Sequence, residues 1–232
     1  LHAHFLRAGD GTRPIVFSID RVRDGRTYST RSVTAEQDGR LLLDGRLSFQ
    51  RPADGLSFTD AMPDVPGPEG LRSEDSLRAE ALMQTDLQLV GNLAMVGMAF
   101  ELRPVTPRDF VTPRVMPPVQ HFWIRPHQPI KGDWRQQFAA LTYASDMMLL
   151  STTLLPHGIY WSTTAMDSAS LDHAIWYHAL PQFDDWMLWS METPWSGSGR
   201  GLVHGRFYRR DGTLVASTAQ EGLIRIKDSP SQ

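Results

Sequence analysis

The sequence predicts an α+β fold in which antiparallel sheets each wrap a long helix, laid down twice along one chain. Three observations carry that reading. Strand-forming runs separated by Asp-Gly turns occupy both ends of the chain. One long apolar helix stands between them. The two strand blocks also match each other in order and spacing, and a repeat outranks any single-element signal in setting the fold.

At the N-terminal end, Ile15 to Ile19 is rich in β-branched and aromatic residues, Asp24-Gly25 marks a turn, and Thr27 to Gln37 is rich in Thr, Val and Ser. A second turn at Asp38-Gly39 returns the chain through Leu41 to Phe49, with a kink expected at Asp44-Gly45. Pro52, Pro63, Pro66 and Pro68, with the glycines among them, make residues 51–72 a linker or long loop. Ser73 reads as an N-cap with Glu74 and Asp75 in the first turn, which predicts a helix to about residue 88. Phe100 to Val105 and Gln120 to Arg125 read as strands on either side of a second Pro-rich stretch.

The strongest helix is predicted from Asp133 to Leu155. Trp134, Phe138, Leu141, Met148 and Leu155 form one stripe, Ser145 and Thr152 fill its missing steps, and Pro156 with Gly158 ends it. Its other faces are apolar enough to predict burial. Ala174 to His178, Trp186 to Glu192, Gly201 to Arg209 and, after the Asp211-Gly212 turn, Leu214 to Ile226 complete the strands.

The repeat pairs Leu1-His2-Ala3-His4-Phe5 with Leu171-Asp172-His173-Ala174-Ile175, and Phe17-Ser18-Ile19-Asp20 with Trp189-Ser190-Met191-Glu192. It also pairs Asp38-Gly39 and Leu41-Leu42 with Asp211-Gly212 and Leu214-Val215. His4 to Asp38 spans 34 positions and His178 to Asp211 spans 33. A helix precedes only the second copy. Residues 1–95 are therefore expected to be a partial first unit plus linker, lacking its N-terminal strand and helix. Residues 96–232 are expected to be the complete unit that carries the chemistry. Either the chain is a fragment, as its start at Leu1 also indicates, or another chain covers the first sheet.

Composition narrows the function. Lys and Arg number 23 against 26 Asp and Glu, so a dedicated nucleic-acid binder is disfavoured. The absence of Cys excludes disulfides, Cys-ligated zinc and a thiol nucleophile. Met147 to Met166, the longest uncharged stretch, is broken by Pro156, His157 and Gly158 and makes a poor membrane span. No signal peptide opens the chain, and Ser229-Pro230-Ser231-Gln232 is not a peroxisomal tail, so a cytoplasmic location is expected.

A long helix wrapped by an antiparallel sheet is the hotdog architecture, and two in one chain make a double hotdog. The blocks that identify it further are His4 to Asp10, Arg23 to Arg26 with Ser29 to Val33, Tyr143-Ala144-Ser145-Asp146, Leu155 to Gly158, Leu171 to His178, Gly199-Arg200-Gly201 and Asp211 to Gly222. In these the chain resembles the acyl-CoA thioesterase II family of double-hotdog thioesterases, essentially from end to end. The resemblance implies hydrolysis of acyl-CoA to a fatty acid and CoA, with no cofactor and no metal, by an oligomer of double hotdogs. It assigns the catalytic roles to Asp146 of Ala-Ser-Asp, Ser170 two residues before Asp172, and Gln220 of Ala-Gln-Glu-Gly. Family members carry a further N-terminal stretch with the first hotdog's helix, in line with the gap that the repeat exposes. Pro194-Trp195 stands where a small polar run is usual, and Trp195 there is expected to reshape the acyl pocket or its mouth.

The residue chemistry agrees. Without a Cys, water serves as nucleophile if a carboxylate takes its proton and hydrogen-bonding groups aim it. Asp146 is the natural base, and its structural alternative is a satisfied buried polar group. Gln220 and Ser170 both donate and accept, so they can orient the water. A Ser/His/Asp triad through His157, His173 or His178 is disfavoured, because Ser196 to Gly199 is not a nucleophile elbow. His173 and His178 are expected to pack or hydrogen-bond within the sheet. No His-Glu-x-x-His spacing marks a zinc site. The alternatives are a hotdog module that binds acyl-CoA without cleaving it and a related enoyl-CoA hydratase.

Overall fold

The computed structural model describes residues 1–84 and 99–227. The first four strands are β1 (His2–Phe5), β2 (Val16–Asp24), β3 (Tyr28–Gln37) and β4 (Arg40–Gln50). After the Pro-rich linker come α1 (Glu74–Gln84), β5 (Phe100–Pro104) and β6 (Val119–Pro126). The central helical region is α2 (Trp134–Asp146) followed by α3 (Leu149–Thr152). The chain ends in β7 (Met166–Ser170), β8 (Asp172–Tyr177), β9 (Met187–Gly197), β10 (Arg200–Arg209) and β11 (Leu214–Ile226).

The strands form one antiparallel sheet in the order β2-β3-β4-β1-β8-β11-β10-β9-β6-β5, with β7 also paired to β11. This order exposes the repeat. β1 and β8, the strands matched in sequence, pair with each other, with Ala3 opposite His173, His2 opposite Ala174 and His4 opposite Asp172. Outward from that seam, β4, β3 and β2 correspond to β11, β10 and β9. The fold is a double hotdog whose two halves meet edge to edge at β1 and β8.

The turn residues act as their chemistry requires. Asp38 and Gly39 take φ of 51° and 71°, the positive pair that a type I′ hairpin turn needs. Ser198 and Gly199 repeat that geometry between β9 and β10, so the Gly/Ser run is a hairpin turn and β9 extends past Glu192 to Gly197. Pro194, which has no N–H to donate, lies where the β9–β10 register slips, at the Leu202/His204 step. The kink expected at Asp44-Gly45 does not form. β4 stays in register there, and Gly45 instead lets Ala3 and Val33 close in, since a Cβ on it would stand 3.3 Å from each.

The predicted helix 133–155 is two helices. Asp133 caps α2: Arg135 N–H donates to its Oδ1 (2.8 Å), and its own N–H donates to Gln136 Oε1 (3.0 Å). At Met148 the backbone leaves the helical region, with φ −126° and ψ −2°. Hydroxyl groups tighten the turn beyond it, because Ser151 and Thr153 donate to the carbonyls of Met148 and Leu150, three residues back. Burial also grades along the segment. Trp134 is exposed at its start, whereas Leu141, Ala144, Leu149 and Leu154 are fully buried. The stretch Trp134–His157 is long and apolar enough to cross a bilayer, but its apolar residues are spent on the sheet. Each fully buried Leu contributes about 1.5–3 kcal/mol.

The core lies in the second half, where Phe122, Ile124, Trp189, Phe207 and Val215 pack beneath α2 and α3. Residues 1–50 form strands alone, and β2 is exposed along its whole length. Phe17 and Ile19 are both exposed. Ser73 is the start of α1, its Oγ accepting from Ser76 N–H, and the predicted end near residue 88 lies outside the described residues. Buried Arg78 of α1 bonds Glu74 and Tyr160, which ties that helix to the second half.

Candidate active site

The three side chains singled out in the sequence come together where the end of α2 meets β7 and β11. Gln220 lies in mid-β11, 1% exposed. Its Nε2 donates to Asp146 Oδ1 at 2.8 Å and to Ser170 Oγ at short range. Ser170 closes β7 opposite Gly222 of β11. The missing side chain at Gly222 is what lets the helix down onto the strand, because a Cβ there would stand 2.1 Å from Leu150 Cδ2. That close approach brings Asp146 onto Gln220.

Asp146 departs from expectation in one respect. It does not sit within a buried helix. It is the last residue of α2, at the break, and its side chain is 44% exposed. A carboxylate at a helix C-terminus faces the negative end of the helix dipole, a position that costs stability. Structural convenience does not explain an acid there.

The network has a fixed hydrogen-bond polarity. An ionised carboxylate only accepts, so the amide nitrogen of Gln220 must face Asp146 and its Oε1 must face away. That oxygen lies 3.2 Å from Nδ1 of His173 on β8, which therefore carries the proton. His173 is 3% exposed, and burial holds it below the usual imidazole range while the Asp146 charge works against that shift. A neutral ring protonated on Nδ1 accepts at Nε2, where the Ser145 hydroxyl lies 2.8 Å away. The ring thus donates to Gln220 Oε1 and the Gln220 amide to Asp146 and Ser170, while the single Ser145 hydroxyl hydrogen is shared between His173 Nε2 and the Thr142 carbonyl. Both Gln220 hydrogens are engaged, which leaves Asp146 Oδ2 and the Ser170 hydroxyl hydrogen for a reactant.

His173, expected to pack or hydrogen-bond within the sheet, does hydrogen-bond there, but its partner is the predicted site residue Gln220. The available signal was its place beside Asp172, in the block that pairs across the seam. The residues Ser145, His173 and Asp146 look like a nucleophilic triad but do not form one. Ser145 Oγ also lies 2.8 Å from the Thr142 carbonyl inside the helix, Ser145 is fully buried, and His173 Nδ1 is 3.9 Å from Asp146 Oδ1, beyond hydrogen-bond reach. His178 and His157 bond to Ser217 and Ser196, apart from this site.

Neither of two cavities among the described residues is lined by Asp146, Ser170 or Gln220. A polar one of about 660 Å³ is bounded by Arg7, Arg13 and Arg40. A groove of about 290 Å³ is walled by Thr153, Ile159, Ile224 and Ile226, with Arg200 at its side. Ile224 and Ile226 lie beyond Gln220 and Gly222 on the same face of β11. Trp195 stands beside this groove, against Gly197 and over Arg200.

Residues 63–224 match the family model described as "Acyl-CoA thioesterase C-terminal domain", and residues 1–50 match "Acyl-CoA thioesterase N-terminal domain". The chain is 38% identical to human "Acyl-coenzyme A thioesterase 8" over 100% of its own length and 74% of that protein. It is 30% identical to "Acyl-CoA thioesterase 2" of Haemophilus influenzae, over 98% of this chain and 79% of the relative. Among solved structures it is similar to the acyl-CoA thioesterase II TesB2 of Mycobacterium marinum, with a TM-score of 0.78 and 33% identity. That likeness covers 98% of this chain and 80% of that one.

Proposed function

The chain belongs to the acyl-CoA thioesterase II family and is a thioester hydrolase of that class, and we propose that it cleaves acyl-CoA with a water molecule held between Asp146 and Ser170. The observation that carries this is the Gln220 amide, which ties the exposed carboxylate and the hydroxyl to one buried point. Asp146 Oδ2 accepts a proton from the water as its oxygen attacks the thioester carbonyl. Ser170 Oγ–H fixes the water's other side. The C–O bond forms, the C–S bond breaks, and the proton on Asp146 passes to the departing thiolate. Nothing beyond water is consumed, so this reaction calls for no cofactor.

Gln220 is a positioning residue in this reading, because both of its hydrogens are spent on Asp146 and Ser170. His173 positions Gln220 in turn and prevents the amide from flipping. A flipped amide would put its oxygen against the carboxylate and leave the His173 Nδ1 proton facing an N–H group. The acyl chain lies in the groove of Ile159, Ile224 and Ile226, about 13 Å along β11 from Gln220 to Ile224 at 3.3 Å per residue. Double hotdogs associate further through their sheets into an oligomer.

The test is thiol release from a series of acyl-CoAs by the chain and its Asp146→Asn variant. Turnover lost in the variant with acyl-CoA binding retained is the expected result. A folded chain that binds acyl-CoA without releasing thiol would make it a binding module instead.

A further inference from the structure

His2, His4 and Asp172 gather on the sheet face opposite the reaction site. His2 and His4 are two residues apart on β1, so they share a face. Ala3 between them points with His173 toward the helix side. His4 stands opposite Asp172 in the β1–β8 register, and His2 Nε2 lies 3.0 Å from Asp172 Oδ2. One ligand atom from each of the three lies within 4.8 Å of the other two. Across β4, Asp44 is opposite His4 and Arg46 is opposite His2.

We propose that these three side chains form a binding site for a first-row divalent cation of the Zn²⁺ type, which fastens the two hotdog halves at their seam. Two imidazoles and a carboxylate are the donor set such ions take, with a fourth position left to water. Metal–nitrogen distances near 2.05 Å place tetrahedral donors about 3.4 Å apart. Rotation of the two exposed imidazoles closes the remaining gap. The carboxylate is already aimed, since Asp172 Oδ1 accepts the Glu221 N–H at 2.7 Å and turns Oδ2 to the histidines. Asp44 adds negative charge beside His4, and Arg46 opposes it beside His2. Two ligands belong to the first half and one to the second, so an ion here bridges the strands where the halves join. Linear spacing could not reveal the site, because its carboxylate lies about 170 residues from the two histidines in the chain.

Calorimetric titration of ZnCl₂ into the untagged chain tests this, alongside His2→Ala and His4→Ala. Both variants remove exposed side chains outside the reaction site, and unchanged thiol release checks that they fold. The expected result is one Zn²⁺ per chain, with affinity at least ~10-fold weaker in each variant. Zn²⁺ should raise the unfolding midpoint of the parent chain and leave those of the variants in place. Equal binding by all three proteins, or no binding by the parent chain, would overturn the proposal.

Discussion

Replacing Gln220 with Glu keeps the shape of the side chain and removes its two N–H donors. In the structure those donors hold Asp146 Oδ1 at 2.8 Å and Ser170 Oγ. A hydrogen bond to a charged acceptor is worth about 1.5–3 kcal/mol, and a neutral one about 1 kcal/mol. With 1.36 kcal/mol per tenfold in rate, losing both lowers kcat on the order of 10²- to 10³-fold. The new carboxylate also repels Asp146. Two unit charges 4 Å apart repel by about 4 kcal/mol at an effective dielectric of 20, a figure to be discounted because Asp146 is 44% exposed. Repulsion acts in the same direction, since it drives the base from its place. The assay is thiol release, and the chain has no Cys of its own to react with the thiol reagent. Turnover within threefold of the parent in a folded Gln220→Glu protein would refute the positioning role.

The Ser170→Ala variant should lose about tenfold in kcat, and Ser170→Thr should restore it. Ser145→Ala should cost less than tenfold, whereas a loss of 10⁴-fold or more would establish a Ser145 triad. Gly222→Ala should destabilise by about 1–3 kcal/mol, because its Cβ meets Leu150 at 2.1 Å, and a double-mutant cycle with Leu150→Ala should recover most of that loss. Stability should fall as pH drops below about 6.5. Burial lowers the folded-state affinity of His173 for a proton, so the unfolded chain binds that proton first. His173→Asn should flatten the thermal-unfolding midpoint against pH, by up to about 1.4 kcal/mol per pH unit in stability, and an unchanged slope would remove His173 from this role.

Much of the fold was legible because its punctuation is chemical. Asp38-Gly39 and Asp211-Gly212 marked hairpins that only residues tolerant of positive φ can make. The repeat marked β1 and β8 as equivalent strands, but that they pair with each other was not read from it and is shown by the structure alone. β7 was missed because Met166 to Ser170 is short, polar and held only by β11, so neither periodicity nor propensity marks it. The break in the central helix was invisible because Met147 and Met148 are good helix formers. It is set by the hydroxyls of Ser151 and Thr153 and by the descent of Leu150 onto Gly222. The placing of Asp146 at a helix end results from that break, which explains why its exposure was misjudged. Ser170 and Gln220 carry no signal of their own and were reached through family resemblance alone. The role of His173 depends on a hydrogen-bond polarity that no linear pattern encodes.

The central claim is that water attacks the thioester directly while Asp146 only takes its proton. A single turnover in H₂¹⁸O tests it, with enzyme in excess over acyl-CoA and mass analysis of both the fatty acid and the peptide that contains Asp146. Direct attack puts ¹⁸O in the fatty acid and leaves the peptide unlabelled. Attack by Asp146 itself, through an anhydride hydrolysed at the Asp carbonyl, would put ¹⁸O in Asp146 and release an unlabelled fatty acid, and that result would contradict the account.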